Sequence, residues 1–258
     1  MRIIRYRAGA GARYGLVRDD VVYALAEQEP YGGRLTAGER VGPLAQVELL
    51  APCEPSKIVA LGRNYAAHAR EHGADVPSEP LIFLKPSTAV IAPGAAIVLP
   101  AQSAQVEHEA ELAVVIGRRA RHVRREEAAG YILGYTCGND VTARDLQRSD
   151  GQWSRAKGFD TFCPLGPWIE TELDIADLAV ICRVNGETRQ QGRTSELIFE
   201  VPLLVSHISG IMTLLPGDVI MTGTPAGVSP IHAGDNVEVE IQGIGVLRNP
   251  VIAAPALP

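Results

Sequence analysis

Lysine is almost missing from this chain. Of 24 basic residues in 258, only Lys57, Lys85 and Lys157 are lysine. A codon bias toward arginine accounts for the total, but a lysine kept in such a chain marks a place for a compact point charge or a shiftable pKa. Aromatic residues are scarce at 5%, against 26 Gly and 18 Pro, which disfavours a helical bundle and suggests short strands and many turns. The four cysteines, Cys53, Cys137, Cys163 and Cys182, are far apart with no Cys-x-x-Cys. They read as buried small side chains, not a disulfide set or zinc knuckle. No apolar run approaches a membrane span, and "MRIIRYRAGAGARYG" lacks a signal-peptide core, so the expectation is a cytoplasmic protein with no membrane partner. The net charge of -6 comes with no dominant basic patch, which argues against nucleic acid as a partner. The "GAGARYG" near the start is no dinucleotide fingerprint: it lies between hairpin strands, opens no helix and misses the third Gly. No internal repeat is present.

The length suits one large domain, or a large domain with a small appendage. Residues 1–26 alternate β-prone runs with turns at Gly9–Gly11 and Asp19–Asp20, the pattern of an antiparallel meander. Residues 27–52 read as a linker or strand leading into the main domain. The boundary is set at 1–52 for a small N-terminal β-domain and 53–258 for the rest. From residue 55 strands alternate with a few helices. "NYAAHAREHG" predicts a helix of about three turns with Gly73 past its end. "REEAAGYILGYTCGNDVTARDLQ" predicts a helix leading into a strand and turn. "DLAVICRVNGETRQ" predicts a hairpin turning at Asn185-Gly186, and "SELIFEVPLLVSHISGIMTL" a long helix broken or begun at Pro202. The fold class expected is α+β, predominantly β.

The chemistry begins at "VEHEAELAVVIG". Glu107, Glu109 and Glu111 share one face of an extended strand, with His108 and Ala110 on the other. Neighbouring carboxylates repel and raise each other's pKa unless a positive charge intervenes. Either the face is solvated, or it holds a divalent cation through oxygen ligands. The apolar run that follows argues against solvation for Glu111. A further acid would complete an Mg²⁺-type site: Asp140, in the turn "GNDVTARD", is the natural candidate and Asp145 the competitor. In "HAREHG", His68 and Glu71 are three apart and adjacent on a helix face; a carboxylate that orients an imidazole makes a general base, although an exposed ion pair gives the same pattern. His68, Glu71 and His72 also spell the zinc-peptidase pattern HxxEH, but the oxygen-rich acids elsewhere suit a hard metal. Lys85 and Lys157 lie at strand ends or in Gly/Pro-rich loops, where functional groups often sit; solvent exposure is the competing account of each. Lys57 is read as solvated.

Taken in order, "GRNYAAHARE", "PLIFLKPST", "HEAELAVVIG", "GYTCGNDVTARDLQ", "KGFDTFCPLGP" and "LLPGDVIMTGTPAGV" resemble the fumarylacetoacetate hydrolase family over roughly residues 55–252. The first fifty residues look like the small N-terminal β-domain of many bacterial members. The resemblance implies a mixed β-roll and Mg²⁺ (or Mn²⁺, with Ca²⁺ an option) held by Glu109, Glu111 and Asp140, with Glu107 a hydrated bystander. His68 and Glu71 match a dyad on a lid helix that activates water. Lys85 and Lys157 match lysines that face the substrate, Lys157 on the catalytic side, and Gln147 and Thr224 sit in segments that line the site in relatives. The spacing from Asp140 to Lys157 is shorter than in acylpyruvase-type relatives, which puts substrate choice in question. The implied chemistry is the handling of 2-oxo or enol carboxylates through an enolate that the metal stabilises as a Lewis acid. The nearest type is 2-hydroxyhepta-2,4-diene-1,7-dioate isomerase/5-oxopent-3-ene-1,2,5-tricarboxylate decarboxylase of aromatic catabolism. Acylpyruvate hydrolase or oxaloacetate decarboxylase is the alternative. Family members imply a homodimer. A zinc peptidase, or a non-catalytic binding member, is a remote alternative; the latter would need a broken dyad or acid set, and every matched residue is present.

Overall fold

The computed structural model describes residues 1–71 and 73–255. Two sheets and a β-ribbon carry the chain, and strands dominate, as the composition suggests. The main sheet begins with the meander β1 (Arg2–Ala8), β2 (Gly11–Arg18), β3 (Val21–Leu25) and β4 (Ala37–Pro43). It continues through β5 (Ile58–Gly62), β6 (Leu81–Lys85) and the short β7 (Val90–Ile91). A second sheet starts with β8 (Ile97–Leu99), and a ribbon with β9 (Val106–Glu107). Then come β10 (Ala110–Ile116), β11 (Ile132–Asn139), β12 (Thr142–Ala143), β13 (Cys163–Glu170), β14 (Ala179–Val184), β15 (Glu187–Arg193), β16 (Val219–Met221), β17 (Asn236–Ile241) and β18 (Gly245–Ala253). The main, 11-stranded sheet runs β4-β3-β2-β1-β13-β11-β10-β16-β5-β6, with β7 alongside β13; the second, five-stranded sheet runs β15-β14-β17-β18-β8; β12 and β9 form the ribbon.

Strand β10 lies at the heart of this arrangement. All seven of its residues are buried, and its near-continuous apolar sequence is what a strand covered on both faces requires. The hairpin turn of β14 and β15 falls at Asn185 and Gly186, both with positive φ (54° and 81°), the conformation that Asn-Gly favours in two-residue turns. Helix α4 (Val201–Ile211) carries Pro202 in its first turn, where a missing N–H costs nothing.

Two expectations are revised. The helix α1 (Ala66–Glu71) has six residues, not three turns. Asn64 explains the late start: its side chain holds Phe199 and Thr222 through bonds of 2.7–3.1 Å, and Tyr65 bridges to Leu197, so the chain stays extended until Ala66. The "REEAAGY" segment is a single 3₁₀ stretch, Arg125–Tyr131, because Ile132 onward is drawn into β11. The N-terminal meander also continues the main sheet, with Arg2 and Ile3 of β1 paired to Glu170 and Ile169 of β13. Its own small core is Ile4, Tyr6, Val17 and Val22.

Candidate active site

The acidic strand is broken where the site is built. β9 stops at Glu107 and β10 starts at Ala110, leaving His108 and Glu109 between them. Asn139, at the end of β11, accepts the Glu109 N–H at 2.9 Å, and the Asp140 N–H bonds the Glu109 carbonyl at 2.9 Å. Those two bonds bring Asp140 beside Glu109, while Glu111 is one strand period farther on. Ligand oxygens of Glu109, Glu111 and Asp140 lie within 4.8 Å of one another, and all three residues are buried. Asp145, the other candidate for the third acid, accepts from Ser103 Oγ and the Ala104 and Leu146 amides instead.

Cations are woven between these acids. Lys157, from α3 (Ser154–Lys157), gives 2.7 Å to Glu109 Oε2 and 2.6 Å to Asp140 Oδ2. Arg144, at the start of α2 (Arg144–Asp150), binds Glu107 Oε2 at 2.7 Å, Gln147 Oε1 at 2.6 Å and Glu109 Oε1. Lys85, 1% exposed, gives 2.6 Å to Asp140 Oδ1 and 2.6 Å to the Lys157 carbonyl. Burial alone would raise the Glu109 carboxyl, but Lys157 and Arg144 outweigh it and hold the group well below the usual carboxylate range. Burial would depress Lys157, and Asp140 and Glu109 reverse the sign and raise it. Among the described residues no cation ion-pairs with Glu111; burial, then Asp140 and Glu109, push it well above the ordinary value, and the Lys157 charge opposes the shift only in part. Its Oε2 accepts the Gly223 N–H at 2.7 Å, and its Oε1 is buried without a partner among the described residues.

That orphaned oxygen is the observation that fits a metal. A buried acceptor with no donor costs free energy, and three hard oxygen donors within one ion's reach suit Mg²⁺ or a similar dication. The dyad lines the same cavity of about 440 Å³ as Glu109: His68 Nδ1 lies 3.2 Å from Glu71 Oε2, and the Gly227 N–H reaches Glu71 Oε1 at 3.1 Å. Burial lowers the His68 pKa, opposed in part by Glu109 and Glu71, which favours the neutral imidazole with a ring nitrogen free of a proton.

The sequence-derived candidates are placed unevenly. His68, Glu71, Lys157, Glu109, Gln147 and Thr224 line the cavity. The Thr224 hydroxyl is already engaged, donating to the Ala110 carbonyl and accepting from Gln190, each within 2.8 Å. Lys85 sits behind Asp140, off the cavity wall, with its ammonium bonded to protein oxygens. Two readings of solvent exposure fail. Glu107, expected to be hydrated, is 5% exposed and held by Arg144 and Gln105. Lys57 is paired with buried Asp218. His72, the second histidine of HxxEH, lies outside the described residues. Sequence reasoning missed Arg144, Arg63, Trp153 and His108. Arg144 had a signal, three residues before Gln147 and just past Asp140. His108 is 0% exposed and is fixed between Gln190 Oε1 and Ser229 Oγ at 2.9 Å each.

Sheet order, a buried acid triad that could hold a metal ion, and a His–Glu pair lining the same cavity as Glu109 match an enzyme of the fumarylacetoacetate hydrolase type. Residues 57–252 match the family described as fumarylacetoacetate (FAA) hydrolase C-terminal, and residues 1–52 the Rv2993c-like N-terminal family. The chain belongs to the fumarylacetoacetate hydrolase family. It is similar to a solved 5-carboxymethyl-2-hydroxymuconate delta-isomerase from Mycobacterium smegmatis, at 51% identity and TM-score 0.92 over 98% of this chain and 100% of that one. A 2-hydroxyhepta-2,4-diene-1,7-dioate isomerase from Mycobacterium marinum matches at 47% and TM-score 0.90 over 99% and 100%. An oxaloacetate tautomerase, FAHD2A, mitochondrial, from Bos taurus is 43% identical over 81% of this chain and 71% of its own length. Among the described residues no helix is long and apolar enough to cross a membrane.

Proposed function

We propose that this enzyme acts on 2-oxo or enol carboxylates through an enolate, as a 2-hydroxyhepta-2,4-diene-1,7-dioate isomerase/5-oxopent-3-ene-1,2,5-tricarboxylate decarboxylase type, with a dication held by Glu109, Glu111 and Asp140. The carrying observation is the buried triad with Glu111 Oε1 unpartnered among the described residues, whose member Glu109 lines one cavity with the His68–Glu71 pair. Bound there, a dication supplies Lewis acidity where charge builds on the substrate's enol oxygen. His68, kept neutral by burial and oriented by Glu71, takes or returns the proton at its ring nitrogen. The Gly227 amide fixes Glu71 in turn. Lys157, cationic and at the cavity wall, offsets the negative charge of the substrate. Phe83 and Trp153, edge-to-face at 5.2 Å between centroids, give the cavity a dry flank.

A second reading, enol–keto interconversion of oxaloacetate, draws on the similarity to the bovine tautomerase. One panel separates the two: 2-hydroxy-2,4-diene seven-carbon dioates and the enol of oxaloacetate, each followed by loss of enol absorbance with Mg²⁺ present. The expected outcome is dication-dependent turnover, greatest on the seven-carbon dioate and abolished by combining Glu109→Ala with Glu111→Ala. Equal rates after chelation, or in that double variant, would end the proposal. The subunits are proposed to form a homodimer, which the mass in solution tests.

A further inference from the structure

We infer that Arg63 is the residue that selects the substrate, by binding a second carboxylate at the far end of a 2-oxo acid. The inference rests on the reading of the site as one for 2-oxo acids. Arg63 follows β5 and lines the cavity. It is half-buried, and among the described residues nothing hydrogen-bonds or ion-pairs its guanidinium. The other cavity arginines differ. Arg144 is spent on Glu107 and Glu109, and Arg148 donates to Gln105 and to the Arg144 carbonyl. An unpaired, partly desolvated guanidinium in a cavity is a ready bidentate partner for a carboxylate.

The backbone supports a built position. Arg63 has φ of 57°, left-handed space that residues other than Gly, Asn and Asp seldom adopt. Asn64, next in the chain, enforces it with its bonds to Phe199 and Thr222. Backbone held in a disfavoured region by its surroundings is typical of functional positions. Gly62 on the other side is equally constrained, since a Cβ there would lie 2.6 Å from the Trp153 ring.

The placement also gives the ligand a length. Lys157 Nζ is 5.1 Å from the Phe83 ring centroid, and Phe83 is 5.2 Å from Trp153. Trp153 abuts Gly62, and Arg63 follows. Lys157, Phe83 and Trp153 thus follow one another along the cavity over a path on the order of 10 Å, and Arg63 lines the same cavity next to the Gly62–Trp153 contact. The metal-side end of this path would take the 2-oxo carboxylate and the two rings a flat unsaturated chain, leaving Arg63 for the distal carboxylate. A four-carbon diacid brings its two carboxylates closer together than this path does.

The test compares 2-oxoheptanedioate with 2-oxoheptanoate, the same chain with and without the second carboxylate, by calorimetric titration of the Mg²⁺-loaded enzyme. The wild type should prefer the diacid by about 10- to 100-fold, and Arg63→Met should bring that ratio close to one, with Arg63→Lys between. Arg63→Gly guards against misfolding: glycine accepts this φ freely, so the variant should melt no lower than the wild type while losing the preference. Wild-type binding that ignores the second carboxylate, or a ratio unchanged in Arg63→Met and Arg63→Gly, overturns the inference. If the preference depends on Arg63 but no enol substrate is turned over, the reaction assigned above falls and the carboxylate site stands.

Discussion

Lys85→Met asks whether the buried carboxylates depend on the cations between them. The Lys85 ammonium is 1% exposed and lies 2.6 Å from Asp140 Oδ1 and 2.6 Å from the Lys157 carbonyl. Unit charges at that spacing attract by roughly 6 kcal/mol at an effective dielectric constant of about 20, much of which is offset by desolvating both ions. Removing one partner leaves the other buried and undercompensated, at a cost of about 3–5 kcal/mol. Lys157 still holds Asp140 Oδ2 at 2.6 Å, so the loss should sit near the low end, about 3 kcal/mol. For a chain of this size each kcal/mol moves Tm by about 2–4 °C, so the chelated variant should melt roughly 6–12 °C below the wild type. Mg²⁺ should raise the variant's Tm by more than the wild type's, because a dication replaces the missing charge. Circular-dichroism melts with chelator and with saturating Mg²⁺ supply all four values. A chelated Lys85→Met protein within about 2 °C of the wild type, or equal Mg²⁺ shifts in both, would refute the reasoning.

Two further outcomes follow from the same electrostatics. Glu111→Gln removes a carboxyl whose burial and acidic neighbours already disfavour ionisation; the chelated variant should melt at or above the wild-type temperature yet show no Mg²⁺ shift, and a retained shift would contradict Glu111 as a ligand. His108 is 0% exposed, and its pKa is lowered chiefly by burial, so the unfolded chain binds its proton more readily. Its contribution to stability is complete above about pH 6.5 and is lost as pH falls through the depressed folded value. Wild-type Tm should therefore drop more steeply on the acid side than that of His108→Gln; parallel profiles would refute this.

Much of the site was readable because its chemistry is local. The Glu-x-Glu spacing and His68 with Glu71 are two- and three-residue patterns, and the β-periods around them fix direction. What could not be read depends on distant segments. Glu107 looks like any strand-face carboxylate until Arg144, 37 residues on in sequence, arrives to bury it. Lys85 ends an exposed-looking edge strand, and only the fold puts it behind Asp140. The length of α1 is set by Asn64 reaching Phe199, 135 residues away, which no helix propensity encodes. The small N-terminal β-meander was visible as hairpins, but its edge-to-edge pairing with β13 carries no local mark. Arg63 was invisible for a similar reason, because its value lies in a backbone angle and an unfilled guanidinium.

Charge explains why these parts belong together. Glu107, Glu109, Glu111 and Asp140 are four acids, and Arg144, Lys85 and Lys157 are three buried cations bonded among them. One negative charge is left over, and it is relieved at Glu111, the acid that no described cation ion-pairs, by favouring its protonated form. A dication would displace that proton and leave the cluster with a single net positive charge. The carboxylate of a 2-oxo acid cancels that charge, and any second carboxylate then needs a cation of its own, which Arg63 alone among the cavity arginines has uncommitted. The cluster itself is then neutral both empty and with the dication and one carboxylate bound, which avoids burying net charge at either end of its cycle. By this reasoning a neutral or cationic ligand should bind poorly whatever its shape, because it would strand the cluster's positive charge.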